Sequence, residues 1–339
     1  MDSRFVNTAN RACSLIYSYI KKYNQGTWLL PVNVCPDVPL TFNLAGIDIE
    51  FVDIDSTTLC IDTQECLTRL ERNPNKYAGI VYVRTYGFLT DTSQFVRDCK
   101  SITPSLKIID DRCLCIPQRK PHSYNADMVL YSTGHCKQID LSGGGLAYYQ
   151  TEEPYVIDSF LLYDGTDEEA LYKEAYAKND RMRKMPIGWL KLSNYKAWQD
   201  YMQEIEEKVS DRLNYRDKLN RIYSRNLPKT IQFDSKYNDW RFNIMVPSSM
   251  KQEILRALFD KGLFASTHYH SVNRLFNKDK YPVSEALFSK VINLFNDKNY
   301  SEDMAKKTCD VIASFSLRGG VNLSVRNRVW IHLYNTIAA

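Results

Sequence analysis

Over the first 150 residues short apolar runs alternate with amphipathic stretches, and few topologies can bury such a pattern. Trp28-Leu-Leu-Pro-Val, Ile49-Glu-Phe-Val-Asp-Ile, Ala78 to Val83, Leu106 to Ile109, Met128-Val-Leu-Tyr and Gly145-Leu-Ala-Tyr-Tyr read as strands. Ala12 to Tyr23, Pro39 to Ala45, Cys66 to Arg72 and Thr92 to Lys100 read as helices, with Gly46 as a C-terminal stop. Strands separated by helices need crossover connections, so the expected architecture is a largely parallel sheet with helices on both faces. After Asp167 the pattern turns helical and charged, broken at Pro186 and Gly188, and Trp198 to Leu219 reads as one long amphipathic helix. A smaller α/β unit follows: Phe242 to Val246 as a strand, Met250 to Lys261 as a helix ended by Gly262, and Ser301 to Phe315 as a final helix. The expected domains are therefore residues 1–225, including the bridging helix, and residues 226–315. Residues 316–339 form a tail without an assigned role.

Composition narrows the function class. The formal charge of +4 is spread along the chain, which argues against a nucleic-acid footprint. Five histidines suggest no metal array, and no apolar run approaches the ~20 residues of a membrane span. The start, Met1-Asp2-Ser3-Arg4, reads as the approach to a polar helix rather than a signal peptide. Nine irregularly spaced cysteines fit buried thiols in a reducing cytoplasm, since Cys113-x-Cys115 matches neither a zinc nor a redox spacing.

The residues that carry chemistry lie late in the alternating region. Ser132-Thr-Gly-His-Cys-Lys137, followed by Gly143-Gly144-Gly145, sets one lysine behind a hydroxyl and ahead of a triple glycine. Upstream, Asp110-Asp111 closes an apolar run. A lysine there can form an imine with an aldehyde cofactor, and the acid can hold a pyridine nitrogen; pyridoxal phosphate (PLP) chemistry needs both. Asp111 is the better partner, because alternation along the strand points Asp110 to the opposite side. Lys137 reads equally as a solvated loop lysine, and Asp111 as a strand-end carboxylate capping a turn. If Lys137 is deeply placed, desolvation is expected to lower its pKa. Thr8-Ala9-Asn10-Arg11, at the mouth of the first helix, offers either an anion site or an ordinary cap by Thr8 or Asn7. His135 and Cys136 are adjacent, so a Cys–His nucleophile is poorly arranged. No G-x-G-x-x-G follows the first strand, which weakens a dinucleotide reading.

In order and spacing these residues resemble the DegT/DnrJ/EryC1/StrS aminotransferases, PLP enzymes that aminate keto-sugars attached to nucleotides. The likeness runs over about residues 5 to 315 and covers Leu30-Pro31 through Asp37, Ala45-Gly46, Phe51-Val-Asp-Ile-Asp55, Tyr86-Gly87, Ile109-Asp-Asp111, Ser132 to Lys137 and Gly144-Gly145. His268-Tyr269 and the closing helices resemble that family's small domain. The resemblance implies a PLP-dependent transferase of fold type I: a large α/β domain with a mostly parallel sheet, a smaller C-terminal α/β domain, and a homodimer with shared active sites. Lys137 would be the imine lysine, Asp111 the pyridinium partner, and Thr8, Ala9 and Ser132 the phosphate-holding residues, with Asn10 beside them. Asn179-Asp-Arg181-Met falls where the family has Asn-Tyr-Arg-Met, whose asparagine reaches the phosphate of the other subunit's cofactor. The implied reaction moves an amino group from L-glutamate to a keto-sugar nucleotide, a 4-keto-6-deoxyhexose on dTDP, GDP or UDP. It would serve surface polysaccharide or O-antigen synthesis in the cytoplasm.

The chain departs from the family pattern at defined places. Cys35 stands where an aromatic ring usually stacks on the cofactor, Leu114 where a glutamine is typical, and Gly143 where an acid is common. Thr8-Ala9-Asn10 replaces a glycine-rich opening. Lys137 is retained where the family's sugar dehydratases carry histidine, which argues against dehydratase chemistry. Cys35 and Leu114 motivate a second reading, a non-catalytic sugar-nucleotide-binding relative. A third is a PLP-dependent sugar lyase or isomerase.

Overall fold

The computed structural model describes residues 5–150, 174, 196–268, 272–276 and 279–318. The chain divides into two compact units, residues 1–211 with 268–288 and residues 212–267 with 289–339. The second unit thus begins inside the long helix, and residues 268–288 belong to the first unit.

In the first unit, β1 (Val6–Ala9), β2 (Thr27–Pro31), β3 (Ile49–Val52), β4 (Tyr77–Val83), β5 (Lys107–Asp111), β6 (Met128–Ser132) and β7 (Gly145–Tyr149) form one seven-stranded sheet in the order β1-β7-β6-β5-β4-β2-β3. Pairing is parallel from β3 through β2, β4 and β5 to β6, and β7 runs antiparallel to both β6 and β1. The crossovers carry α1 (Ala12–Lys22), α2 (Asp37–Ala45), α3 (Thr63–Arg72) and α4 (Ser93–Ile102). Successive strand residues point to opposite faces, and the core follows that rule. Leu30, Val81, Ile109 and Leu130 pack with Leu15 and Ile16 of α1 and Phe42 of α2. One residue away, Leu29, Ile80 and Ile108 pack with Leu70 of α3 and Phe95 and Cys99 of α4. Gly79 is required where it stands, because a Cβ would come within 2.5 Å of the Trp28 ring and 2.6 Å of the Lys107 carbonyl oxygen.

Local chemistry moves several boundaries from where periodicity alone puts them. α3 starts three residues before Cys66 because Asp62 Oδ1 accepts the N–H groups of Gln64 (2.9 Å) and Glu65 (3.0 Å). α2 starts at Asp37, with Pro39 inside the first turn, where the missing N–H costs nothing. It ends as expected at Gly46, whose φ of 71° lets the Ile47 N–H return to the Phe42 carbonyl. β5 does not stop at Ile109: Asp110 and Asp111 continue the ladder, opposite Tyr82 and Val83.

The continuation of β5 is stabilised by charge. Asp110 Oδ1 and Oδ2 accept from Arg84 Nε (2.6 Å) and Nη2 (2.9 Å), and Oδ2 also accepts from Arg112 Nε (3.0 Å) and Nη2 (2.7 Å). Both guanidiniums are buried, and Arg84 is closed off further by Thr90 and Thr92. Arg112 also donates to the Tyr131 hydroxyl at 3.2 Å. A carboxylate shared by two buried cations is costly to remove, because each guanidinium would be left without its counter-charge.

In the second unit, β8 (Phe242–Met245), β9 (Ala265–Ser266) and β10 (Val291–Leu294) form an antiparallel sheet in the order β8-β10-β9. α5 (Trp198–Asn226) runs from the first unit into the second. It extends past Leu219 because Tyr223 remains on its buried face, with Leu219, Phe242 and Leu258. α6 (Ser248–Phe259) and α8 (Glu302–Arg318) complete this unit, and α7 (Pro282–Lys290) precedes β10. Lys251, on the buried side of α6, is pulled down to about 8 by desolvation.

Two stability predictions follow from these buried charges. Asp110→Ala lowers unfolding free energy by about 3–5 kcal/mol, measured by urea denaturation, whereas loss below ~1 kcal/mol would show that the guanidiniums find other partners. For Lys251, the unfolded state binds more protons than the folded state from pH 8 to its ordinary value near 10.5, so stability rises with pH in that window. The melting temperature of Lys251→Met relative to the parent is therefore expected to fall steadily from pH 7.5 to pH 10, and a constant difference would contradict the assignment.

Candidate active site

The same alternation that turns Asp110 toward the arginines turns Asp111 the other way, at the carboxyl edge of β5. Asp111 is the last residue of that strand rather than one position past it, and it is buried. Its Oδ1 accepts the Cys113 N–H at 2.9 Å, so the acid also shapes the turn that leaves the strand. Cys113 and Cys35 are half-buried against the core face that carries α1 and α2.

Lys137 sits in the loop between β6 and β7, and that loop is held by its own polar groups. The Thr133 N–H donates to the Gly144 carbonyl (3.0 Å), and Leu141 returns its N–H to the Thr133 carbonyl (2.8 Å). Thr133 Oγ1 lies 2.5 Å from the Tyr201 hydroxyl and donates to the Gly143 carbonyl at 2.6 Å. Asp140 accepts the N–H groups of Cys136 (3.3 Å) and Ser142 (2.8 Å). Cys136 immediately before Lys137 has φ 63°, a left-handed conformation that costs free energy and is fixed only by its surroundings. His135 points outward, 78% exposed, with Nδ1 3.9 Å from Asp140.

The glycines have a steric reason. A Cβ on Gly144 would lie 2.4 Å from the Tyr201 hydroxyl and 2.5 Å from Thr133 Oγ1, and one on Gly145 would lie 2.6 Å from the Ala12 backbone. The glycines therefore let the start of α1 approach the end of the lysine loop, where Gly144 N–H donates to the Asn10 carbonyl at 2.6 Å. Ser132 lies at the same place, its Oγ within 3.4 Å of the Gly144 carbonyl and accepting the Gly134 N–H at 3.3 Å. α1 begins at Ala12 with Arg11 in the cap position and no side-chain cap, so neither Thr8 nor Asn7 caps it. Thr8 and Ala9 instead belong to β1, opposite Leu146 and Gly145, and Thr8 Oγ1 donates to the Lys196 carbonyl at 2.9 Å. The first turn of α1 thus lies beside Ser132, and the Arg11 side chain does not cap it.

Electrostatics correct one expectation. Burial does oppose the charge on Lys137, but Cys113, Cys35, Asp111 and Asp37 outweigh it, and the amine is held above its ordinary value rather than below. Burial pushes the Cys113 thiol well up, so it stays protonated near neutral pH and lends little charge. We therefore assign the hold on the ammonium to the two carboxylates. Asp111 is itself raised, by burial first, against the Cys113 hydrogen bonds and the charge of Lys137. The two charged groups feel each other, yet among the described residues no carboxylate approaches Lys137 within 4.0 Å. Among the described residues the buried acid has no cation, and the lysine no anion, within 4.0 Å, which suits a pyridinium nitrogen and an aldehyde presented by the same ring. These residues fit PLP.

Sequence reasoning missed Cys113 and Asp37. Cys113 was findable as the second residue after Asp111, where an aspartate side chain folds back on the backbone. Asp37, the first residue of α2, lies 3.8 Å from Arg11 and carries no local signal of its proximity to Lys137. The reading of the cysteines as uniformly buried is revised: all nine are free thiols, five of them buried, whereas Cys13, Cys35 and Cys113 are half-buried and Cys136 is exposed. Leu114 is half-buried beside this turn. His268 joins the first unit, not the small domain; its Nε2 donates to the Asn33 carbonyl at 2.9 Å and its ring meets Tyr86 edge-on at 5.1 Å. Asn179, Arg181, Tyr269 and residues 319–339 lie outside the described residues. Among the described residues no group of acids, histidines and cysteines could hold a metal ion, and no helix is long and apolar enough to cross a membrane.

The Lys137 electrostatics make a prediction for the cofactor-free protein. Lys137 reacts slowly with trinitrobenzenesulfonate at pH 8, and Asp111→Asn raises its rate about tenfold per unit of pKa lost. An unchanged rate in a folded variant would show that Asp111 does not hold the ammonium.

Comparison with known proteins places this geometry. The family model of the DegT/DnrJ/EryC1/StrS aminotransferase family matches residues 41–313. In sequence, no curated protein matches the chain. Among solved structures, DesI in the presence of its TDP-sugar product superposes with a TM-score of 0.70 at 14% identity, covering 93% of this chain and 81% of that one. The sugar aminotransferase CalS13 from Micromonospora echinospora gives 0.66 at 14% identity, with 91% and 87% covered. Helicobacter pylori PseC, an aminotransferase involved in the biosynthesis of pseudoaminic acid, gives 0.66 at 15% identity, with 92% and 87% covered. The fold is that of the type I PLP-dependent transferases. The chain belongs to the DegT/DnrJ/EryC1/StrS aminotransferase family; it is a PLP-dependent aminotransferase, and PLP is its cofactor.

Proposed function

We propose that this family member moves an amino group from L-glutamate to a keto-sugar nucleotide, and that Lys137 and Asp111 are the residues on which the transfer turns. The observation that carries the assignment is the pair itself: a buried carboxylate ending β5 and an ammonium in the loop after β6, near enough to perturb each other. When bound, PLP supplies an electron sink for the carbon whose C–H bond is broken.

The protein's own groups do the rest. Lys137 Nζ is the nucleophile that anchors the cofactor and, once displaced, the base that takes the proton from the amino acid and returns it. Its pKa above the ordinary range means that it must lose a proton to act, and the approach of a second cation to Asp111 weakens the hold on that proton. Asp111, desolvated and fixed by the Cys113 N–H, keeps a ring nitrogen protonated. Ser132 Oγ and the first turn of α1 would hold the phosphate, with Thr8, Ala9 and Asn10 forming the wall behind them. Cys35 and Cys113 would line the cofactor pocket with polarizable sulfur, Cys35 standing where the family has an aromatic ring. Asn179 reaches the phosphate of the other subunit in a homodimer with shared sites.

The sugar substrate is supported by the relatives: DesI was seen with a TDP-sugar product, and CalS13 is a sugar aminotransferase. A 4-keto-6-deoxyhexose nucleotide as acceptor, a role in surface polysaccharide or O-antigen synthesis, and a cytoplasmic location complete the reading. The large and small domains are read as residues 1–225 and 226–315.

With PLP and L-glutamate the protein is expected to release 2-oxoglutarate in an amount equal to the active sites, with a matching change in visible absorption. Lys137→Ala abolishes that release and leaves the circular dichroism spectrum unchanged. Retained transaminase turnover in the alanine variant would sink the assignment of Lys137. A folded, PLP-loaded parent that yields no 2-oxoglutarate would remove glutamate as donor.

A further inference from the structure

The second unit contains a cleft that the transamination does not use. It lies between the C-terminal half of α5 and the chain from Lys229 to Phe242, with a volume of about 650 Å³, within the usual range for small-molecule sites. Arg221 and Arg225 stand one turn apart on α5, so they share a face, and Lys229 follows just beyond the helix end. Three cations along one wall repel one another unless anions answer them.

The acids of the cleft are already engaged elsewhere. Asp217 and Asp239 lie within 3.8 Å and 3.7 Å of Arg216, and Asp234 lies within 3.9 Å of Lys236. Among the described residues, no carboxylate comes within 4.0 Å of Arg221, Arg225 or Lys229. The dipole of α5 accounts for Lys229, which donates to the Ser224 carbonyl at 2.9 Å, and for Arg225 in the last turn. Arg221 is too far back along the helix for that explanation. Deeper in, the Arg216 side chain is only 11% exposed and is held by Asp217, Asp239 and the Asp239 carbonyl, to which Nη1 donates at 3.0 Å. The half-buried ring of Phe233 also lines the cleft.

We propose that this cleft is a second ligand site, separate from the PLP site, for a small diphosphate-bearing anion. The diphosphate lies along Arg221, Arg225 and Lys229, where charge-assisted hydrogen bonds are strongest. A nucleoside diphosphate places its ring against Phe233; a free pyrophosphate uses the cations alone. The proposal does not depend on the assigned roles of Lys137 and Asp111.

Isothermal titration of the PLP-loaded protein with inorganic pyrophosphate, and separately with uridine diphosphate, tests it. The parent is expected to show saturable binding by pyrophosphate that weakens as salt is raised. In Arg221→Gln/Arg225→Gln that binding event weakens by about tenfold or more, while the melting temperature and the PLP spectrum stay as in the parent. Phe233→Leu separates the two sources: loss of uridine diphosphate affinity with pyrophosphate unchanged supports the nucleotide as occupant, and equal affinities support the free diphosphate. No saturable pyrophosphate binding, or binding equally strong in the double variant, would overturn the proposal. Should the double variant melt early, Arg221→Lys/Arg225→Lys keeps the charge; recovery of binding in it together with loss in Arg221→Gln alone supports the site, and no difference between them overturns it.

Discussion

Two neighbouring carboxylates at the end of β5 face opposite sides of the sheet, and the rest of the molecule is arranged around that division. Asp110 answers two buried guanidiniums on one side, which holds Arg84 and Arg112 and with them the turns that follow β4 and β5. Asp111, relieved of that duty, is free to face the layer of α1 and α2, where Lys137 stands. A shift of one residue in β5 would exchange the two roles and place the wrong acid before the cofactor. The register of β5 against β4 and β6 is therefore both a packing constraint and a catalytic one.

The lysine loop depends on a second constraint, the close approach of α1 to β7. Without side chains at Gly144 and Gly145, the first turn of α1 can lie against the loop that carries Ser132 and Lys137. The bonds from Thr133, Leu141 and Asp140 then leave the loop little freedom, although Cys136 and Ser142 both adopt left-handed backbone. Conformational strain next to a reactive group is maintained only where surrounding contacts over-determine it. On the opposite edge, Asp53 accepts the N–H groups of Val283 (2.9 Å) and Ser284 (3.0 Å), and Val32 accepts that of Val272 (3.0 Å). These bonds tie residues 272–284 to the ends of β2 and β3, which lead to Cys35.

Much of this was legible in the sequence because it rests on periodicity. The alternation of apolar strands with amphipathic helices implied a largely parallel sheet, and Gly46 marked the end of α2. Alternation within β5 was enough to separate Asp110 from Asp111. What periodicity does not encode is long-range placement. Nothing near Asp37 announces that it shares electrostatic contact with Lys137, a hundred residues away in sequence, and nothing near His268 announces that it joins the first unit. The direction of the Lys137 pKa was misjudged for the same reason: desolvation is a local inference, whereas the acids that oppose it come from β5 and α2. The start of α1 at Ala12 was legible, but Thr8 and Ala9 ahead of it are as compatible with a helix mouth as with an edge strand, and only pairing with β7 decides between them.

The central claim is that a single lysine, Lys137, bears the cofactor opposite Asp111. Borohydride reduction of the PLP-loaded protein, followed by peptide mapping, tests it most directly. The account predicts one pyridoxyl-lysine per chain, on the peptide that contains Lys137, with incorporation sharply reduced in a folded Asp111→Ala variant. Pyridoxyl label on another lysine, with Lys137 unmodified, would contradict it.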